Sequence, residues 1–183
     1  MRLIDGWLDA AEPVPSPNFN ERPAEQEPSL LVVHCISLPP GHFGSGDIRR
    51  FFQNQLDSSA HPFYEEIKGL KVSAHFLIER NGHLVQFVAT DKRAWHAGKS
   101  NYKGCDDCNN FSIGVELEGC DDQAYSDEQY HSLTALCAYL IDYYPKLTRS
   151  RLCGHSDIAP GRKSDPGPAF DWGRLQQLLR QAT

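Results

Sequence analysis

The chain has 183 residues, 40% hydrophobic and 23% charged, enough apolar side chain for one domain around a single core. Its formal net charge of −6 excludes a protein whose whole surface is built for nucleic acid, which requires a basic balance. No apolar run approaches the ~20 residues that a membrane helix needs.

The N-terminus places acids and prolines where a signal peptide would carry an unbroken apolar stretch. A cytoplasmic location is therefore expected, with residues 1–29 an irregular arm packed on the domain. The six cysteines, Cys35, Cys105, Cys108, Cys120, Cys137 and Cys153, are then expected to be reduced. Cys105-x-x-Cys108 has a motif-like spacing, but no second such pair or nearby histidine pair completes a zinc knuckle, and it reads as two loop thiols. LLVVHCI (30–36) is a continuous β-branched apolar run, the mark of a strand covered on both faces. PPGHFGSG (39–46) must be loop. In 46–56, Asp47 is the expected cap, and Ile48, Phe51, Phe52 and Leu56 recur at helical spacing.

Two β-rich runs within 72–90 flank Asn81-Gly82, which favours a tight hairpin. FSIGVELEG (111–119) is a further strand. Residues 126–144 begin with the capping box Ser126-x-x-Gln129 and put Tyr130, Leu133, Leu136, Cys137, Leu140 and Ile141 on one helical face, with Pro145 as a stop. Residues 170–182 read as a closing helix with Asp171 near its start. Strands and helices mix without strict alternation, which predicts an α/β (α+β) single domain with a central mixed β-sheet flanked by helices.

The segment GHSDIAPGRKSDPG (154–167) is too rich in proline and glycine for regular structure, yet it holds His155, Arg162, Lys163 and Asp165. A lone histidine such as His34, near a strand end, is an ordinary core residue as readily as a ligand, and an aspartate before proline is a common turn residue. Together, His34, His155 and Asp165 would hold zinc with a fourth position open, the pattern of catalytic sites, provided the fold brings strand 30–36 beside loop 154–167. Glu116 and Glu118 share one face of their strand, opposite Val115 and Leu117. A strand glutamate is usually solvated; beside a metal-bound water, Glu116 would be the general base of amide hydrolysis. Lys163 could stabilise an oxyanion, or be a solvated loop lysine. His75 and His96 could face the same cleft, whereas His42, His61, His83 and His131 read as loop, turn or exposed residues. Trp95-His96-Ala97-Gly98 suits a sugar or peptide packed on backbone, and a buried tryptophan equally.

HCISLPPG (34–41), VSAHFLIERNG (72–82), RAWHAG (93–98), FSIGVELEG (111–119) and GHSDIAPGRKSDPGPAFDW (154–172) resemble the AmpD-type 1,6-anhydro-N-acetylmuramoyl-L-alanine amidases, part of the zinc amidase group that includes phage amidases and peptidoglycan-recognition proteins. The resemblance implies one zinc per chain on His34, His155 and Asp165, with Glu116 as catalytic carboxylate and Lys163 as transition-state stabiliser. It implies hydrolysis of the amide between the lactyl group of anhydromuramic acid and L-alanine, during cytoplasmic recycling of cell-wall fragments. Cys35 stands where the family usually has an asparagine that touches the peptide, and Asp107 where some members have arginine. Lys71, Lys99, Lys103 and Arg162 are candidates for a basic patch that meets the stem-peptide carboxylates, and Trp95 and His96 for packing on the sugar. The expected partner is an anhydro-muropeptide, with no nucleic acid and no membrane, and the chain is expected to be a monomer. The competing readings are a non-catalytic muropeptide-binding module of the same fold and a zinc peptidase acting within the stem peptide.

Overall fold

The computed structural model describes residues 1–182. The chain opens with a small hairpin, β1 (Leu3–Ile4) and β2 (Trp7–Leu8), followed by β3 (Glu12–Pro13) and β4 (Phe19–Glu21). β5 (Leu30–Ile36) leads into two short helices, α1 (Asp47–Phe52) and α2 (Pro62–Glu66). Then come β6 (Phe76–Ile78), β7 (Leu84–Gln86), β8 (Lys92–Ala94), β9 (Asn101–Tyr102), β10 (Cys105–Asp106) and β11 (Ser112–Glu118). The chain closes with α3 (Asp127–Tyr143), β12 (Leu152–Gly154), the single turn α4 (His155–Ile158) and α5 (Trp172–Gln181).

A six-stranded sheet in the order β12-β5-β11-β6-β7-β3 forms the centre. β12, β5, β11 and β6 run parallel, β7 is antiparallel to β6, and β3 is parallel to β7, so the sheet is mixed, as expected. The apolar run of β5 explains its central place. Leu31 and Val33 join the core beneath α3 and α5, while Leu30 and Val32 pack on the other side against Ala97, Phe111 and Ile158. α3 buries Tyr130, Leu133, Leu136, Cys137 and Leu140, and α5 buries Leu175 and Leu179. Each such leucine contributes roughly 1.5–3 kcal/mol through burial. On the opposite face, Phe51, Phe52 and Tyr64 of α1 and α2 cover Leu77 and Val85.

Four local features depart from the sequence expectation. The N-terminal arm is not wholly irregular: β3 adds an edge strand to the main sheet, where Pro13 is tolerated, and β4 pairs antiparallel with β8. Strands of two or three residues carry no readable alternation. Asp47 lies inside the first turn of α1 and does not cap it; its carboxylate accepts from Arg50 (2.5 Å) and from the Tyr64 hydroxyl (2.7 Å). α1 stops at Phe52, well before Leu56, and Asn54 beyond it takes a left-handed backbone (φ 60°). In the segment 154–167, Gly154 belongs to β12 and His155–Ile158 form a helical turn, with the Asp157 carboxylate accepting from Gly154 N (2.7 Å).

The hairpin around Asn81-Gly82 forms as expected, with Phe76 opposite Gln86 and Gly82 N donating to Glu79 O (2.8 Å). The capping box is also present: Ser126 Oγ accepts from Gln129 N (3.1 Å), and Gln129 Oε1 accepts from Ser126 N (3.1 Å). Ser126 Oγ also donates to Arg80 O (2.6 Å), which ties α3 to the hairpin. Ser126→Ala is expected to cost about 0.5–2 kcal/mol, seen in urea unfolding as a lower midpoint at unchanged slope.

Candidate metal centre and catalytic cleft

The parallel register places His34 of β5 opposite Glu116 of β11. It also places Gly154 of β12 beside Val33, so His155 leaves its strand next to His34. Both histidines stand at the carboxyl ends of parallel strands, where open α/β sheets bind their ligands. Asp165 reaches the same point from the following loop. Its carbonyl accepts from Ser156 N (3.0 Å), and the Tyr125 hydroxyl donates to Pro166 O (2.7 Å). Gly167 then crosses the Asp121 backbone at φ +79°, where a Cβ would lie 2.3 Å from Asp121 Cα. Only glycine fits that crossing, and it aims the loop back at β5.

The three candidate ligand atoms form a small triangle. His34 Nδ1 and His155 Nδ1 are 3.0 Å apart, and Asp165 Oδ2 lies 3.0 Å from the first and 3.1 Å from the second. His34 and His155 are almost fully buried. His155 Nε2 is 3.0 Å from the Ala97 carbonyl, which can only accept. A proton therefore sits on Nε2, and in the neutral ring that a metal requires Nδ1 is left bare. A bare imidazole nitrogen and a carboxylate oxygen at 3.1 Å repel one another unless a cation lies between them. Ligands at roughly 2.0–2.1 Å from a tetrahedral ion are about 3.3 Å apart, close to the edges of this triangle. Burial lowers His34 to about 4, outweighing the contact with Asp165 that raises it, so the ring is neutral at pH 7, as a ligand must be. His34, His155 and Asp165 form a group that can hold a metal ion.

A cleft of about 450 Å³ opens over this triangle. Phe51, Phe52, Phe63, Ile67 and Val72 make its apolar wall, and Glu116, Lys163 and the triangle make its polar one. Glu116 is buried, and its Oε2 has no hydrogen-bond partner. Burial raises its carboxyl well above the usual value, the charge of Asp165 raises it further, and Lys163 draws it down. Glu118, on the same strand face, is differently placed: its oxygens accept from Gly44 N (2.6 Å) and Arg80 N (3.1 Å). One glutamate holds loops; the other is left open to the cleft.

The remaining candidates are distributed around this centre. Lys163 is exposed at the cleft rim. Lys71, Trp95, Arg162 and Lys163 border an adjoining recess of about 310 Å³. Trp95 Nε1 donates to Asn20 Oδ1 (2.7 Å), and Arg162 donates to the Ala97 and Lys99 carbonyls (2.7 Å each). Cys35 lines the cleft with its Sγ donating to Asp121 Oδ1 (3.2 Å), and burial holds its thiol far above the usual range. His96 lines the cleft too, but its ring nitrogens meet His34 Nε2 (2.9 Å) and Ser112 Oγ (3.1 Å).

His75 does not face the cleft. It is wholly buried, accepting from Gly114 N (3.0 Å) and donating to Lys92 O (3.0 Å). Lys103 is also elsewhere, over the Tyr102 ring in a different recess. Asp107 is exposed and left-handed (φ 56°).

Two residues that sequence reasoning passed over support the site. Asn109 Oδ1 accepts from His96 N (3.1 Å) and Ala97 N (2.8 Å). Arg22, from the N-terminal arm, donates to the carbonyls of Thr90, Asn109, Asn110 and Ser112. Burial lowers Arg22 to about 10, which leaves it charged at pH 7. No local pattern distinguishes an asparagine or arginine that serves carbonyls far along the chain.

A family model described as N-acetylmuramoyl-L-alanine amidase matches residues 24–168. The 1,6-anhydro-N-acetylmuramyl-L-alanine amidase AmpD of Escherichia coli (strain K12) is 55% identical over 183 residues, 100% of each chain. A crystal structure of a selenomethionine AmpD derivative superposes with a TM-score of 0.95 at 53% identity, covering 98% of this chain and 99% of that one. The crystal structure of AmpDh3 from Pseudomonas aeruginosa in complex with anhydromuramic pentapeptide superposes with a TM-score of 0.61 at 30% identity, covering 82% of this chain and 59% of that one. Matched by the family model over most of its length and by a bacterial relative from end to end, the chain belongs to the N-acetylmuramoyl-L-alanine amidase family and is an amide hydrolase.

Proposed function

We propose that this chain hydrolyses the amide between the lactyl group of 1,6-anhydro-N-acetylmuramic acid and the L-alanine of muropeptides, as a monomer with one zinc held by His34, His155 and Asp165. The observation that carries the reading is the triangle of His34, His155 and Asp165 beside the unpartnered Oε2 of Glu116. The donor set of two neutral imidazoles and one carboxylate suits zinc with an open fourth position. When bound there, zinc supplies Lewis-acid polarisation of the scissile carbonyl and lowers the pKa of its water to about 7.

The protein's own groups do the rest. Glu116 takes the proton of the attacking water and delivers it to the leaving amine; its raised proton affinity suits both tasks. Lys163, at the rim, places a positive charge where the oxyanion develops. The apolar wall of Phe51, Phe52 and Ile67 excludes water and strengthens these electrostatic effects. Lys71 and Arg162 border the adjoining recess and would meet the stem-peptide carboxylates, with Trp95 beside them and Cys35 on the cleft floor. A binding module is the weaker reading, because a buried carboxyl oxygen without a partner costs stability that mere recognition does not require.

We place the reaction in the cytoplasm, in the recycling of wall fragments. The six cysteines are all unpaired, as in a reducing compartment, and among the described residues no helix is long and apolar enough to cross a membrane.

Incubation with anhydro-muropeptide, read by mass spectrometry, is expected to release the anhydro-sugar and the intact stem peptide; cuts within the peptide would instead identify a peptidase. Glu116→Gln should keep one zinc per chain while lowering kcat by about 10²–10⁴. Lys163→Ala should lower kcat by about 10²–10³ if it serves the oxyanion as a single donor does. A stability measurement on the metal-free chain tests the burial of Glu116 separately. Its carboxyl is raised above the usual 4.5, so the folded state binds the extra proton, and stability should fall as pH rises through the raised value. Glu116→Gln should remove that decline in urea unfolding followed across the pH series.

A further inference from the structure

We propose that His96, anchored by Ser112, is a positioning residue that fixes the ring proton of His34 on Nε2 and so turns a bare Nδ1 toward Asp165 and His155. The proposal deepens the metal reading above and rests on it. Proton counting along one chain of hydrogen bonds carries it. The Cys108 carbonyl can only accept, and Ser112 Oγ lies 2.5 Å from it, so the single hydroxyl proton is committed there. Toward His96 Nε2, at 3.1 Å, Ser112 must therefore accept, which puts the His96 proton on Nε2. The His96 ring packs edge-on against the His34 and His75 rings, and its hydrogen-bond partners are His34 and Ser112, with no carboxylate among them to hold a second ring proton. Its Nδ1 is then a bare acceptor, 2.9 Å from His34 Nε2. His34 must donate, and its own Nδ1 is left without a proton.

The consequence falls on the triangle. With its proton on Nδ1, His34 would donate to Asp165 Oδ2 at 3.0 Å, and the two would satisfy each other with no ion present. The relay through His96 forbids that pairing. His155 receives the same treatment from the Ala97 carbonyl, and His96 N and Ala97 N are both held by Asn109 Oδ1. With both rings neutral, as metal ligation requires, two lone pairs face the carboxylate, and a cation between them reconciles the three.

The strand is shaped for the relay. Ser112, Gly114 and Glu116 alternate on one face of β11. A Cβ at Gly114 would lie 2.5 Å from His96 Cγ, so the ring occupies the space of the missing side chain. Hydroxyl anchor, ring slot and open carboxylate follow one another along one strand.

Zinc affinity, measured by competition with a chromophoric chelator, tests the assignment on the full chain. His96→Phe keeps the ring shape and removes the acceptor; it is expected to weaken zinc binding by about 10- to 100-fold. His96→Asn places an amide oxygen where Nδ1 was and is expected to recover most of that loss. Equal affinity for the unaltered chain and His96→Phe, or no recovery with His96→Asn, would overturn the role of His96 while leaving the metal reading intact. Failure of the unaltered chain to take up zinc would overturn the metal reading and the proposal together. Nitrogen-15 NMR of the histidine rings in the unaltered, zinc-loaded protein needs no substitution. Protons on Nε2 of both His34 and His96 are expected, and a proton on His96 Nδ1 would refute the relay.

Discussion

Three parallel strands that end together frame the site, and the single loop that carries Asp165 completes it. β5, β11 and β12 pair in one continuous register, so His34, Glu116 and His155 come to the same sheet edge. Along the strands, backbone pairing and apolar packing on both faces leave no freedom. At the carboxyl ends the pairing stops and polar side chains begin. A shift of one residue in β5 would turn His34 toward the α3 face and away from the ends of β11 and β12. The buried run Leu30–Val33 resists that slip, because two hydrophobic clusters each claim alternate residues.

Around this edge the protein tolerates electrostatic arrangements that an ordinary core would avoid. Glu118 shows what a buried strand carboxylate normally requires: two backbone N–H donors. Glu116, two residues earlier, lacks such a partner at Oε2. An unsatisfied buried polar group costs about 1–3 kcal/mol, and the extensive apolar core offsets it. That penalty has a chemical use in the proposed reaction, since the same burial that destabilises the charged carboxylate raises its affinity for a proton.

Support for the site comes from distant parts of the chain. Arg22, in the N-terminal arm, holds the carbonyl of Asn109; Asn109 holds the backbone of His96 and Ala97; and the Ala97 carbonyl holds His155 and Arg162. The arm therefore does more than cover a surface. Its short strands and one buried guanidinium clamp the loop that orients the ring of His155. Arg162, from the Pro/Gly segment, closes the same loop from the other side.

Elements long enough to repeat a pattern were legible from residue order. Seven apolar or alternating residues marked β5 and β11, and a capping box with a helical stripe marked α3. Side-chain chemistry made His34, Glu116, His155 and Asp165 candidates, because few residue types bind metals or move protons, and the resemblance to the zinc amidases implied their roles. The pairings β3–β7 and β4–β8, the inward turn of His75 and the carbonyl-binding roles of Arg22 and Asn109 were not legible. Each depends on partners far away in the chain, and a two-residue strand or a single polar side chain carries no periodic signal. The sequence by itself determined the longer elements and offered the side chains that could do the chemistry. Only the tertiary structure decided that His34 meets His155 across 121 residues, Asp165 across 131 and His96 across 62. Those contacts follow from strand register and loop closure, which arise from the packing of the whole core and from no local run of residues.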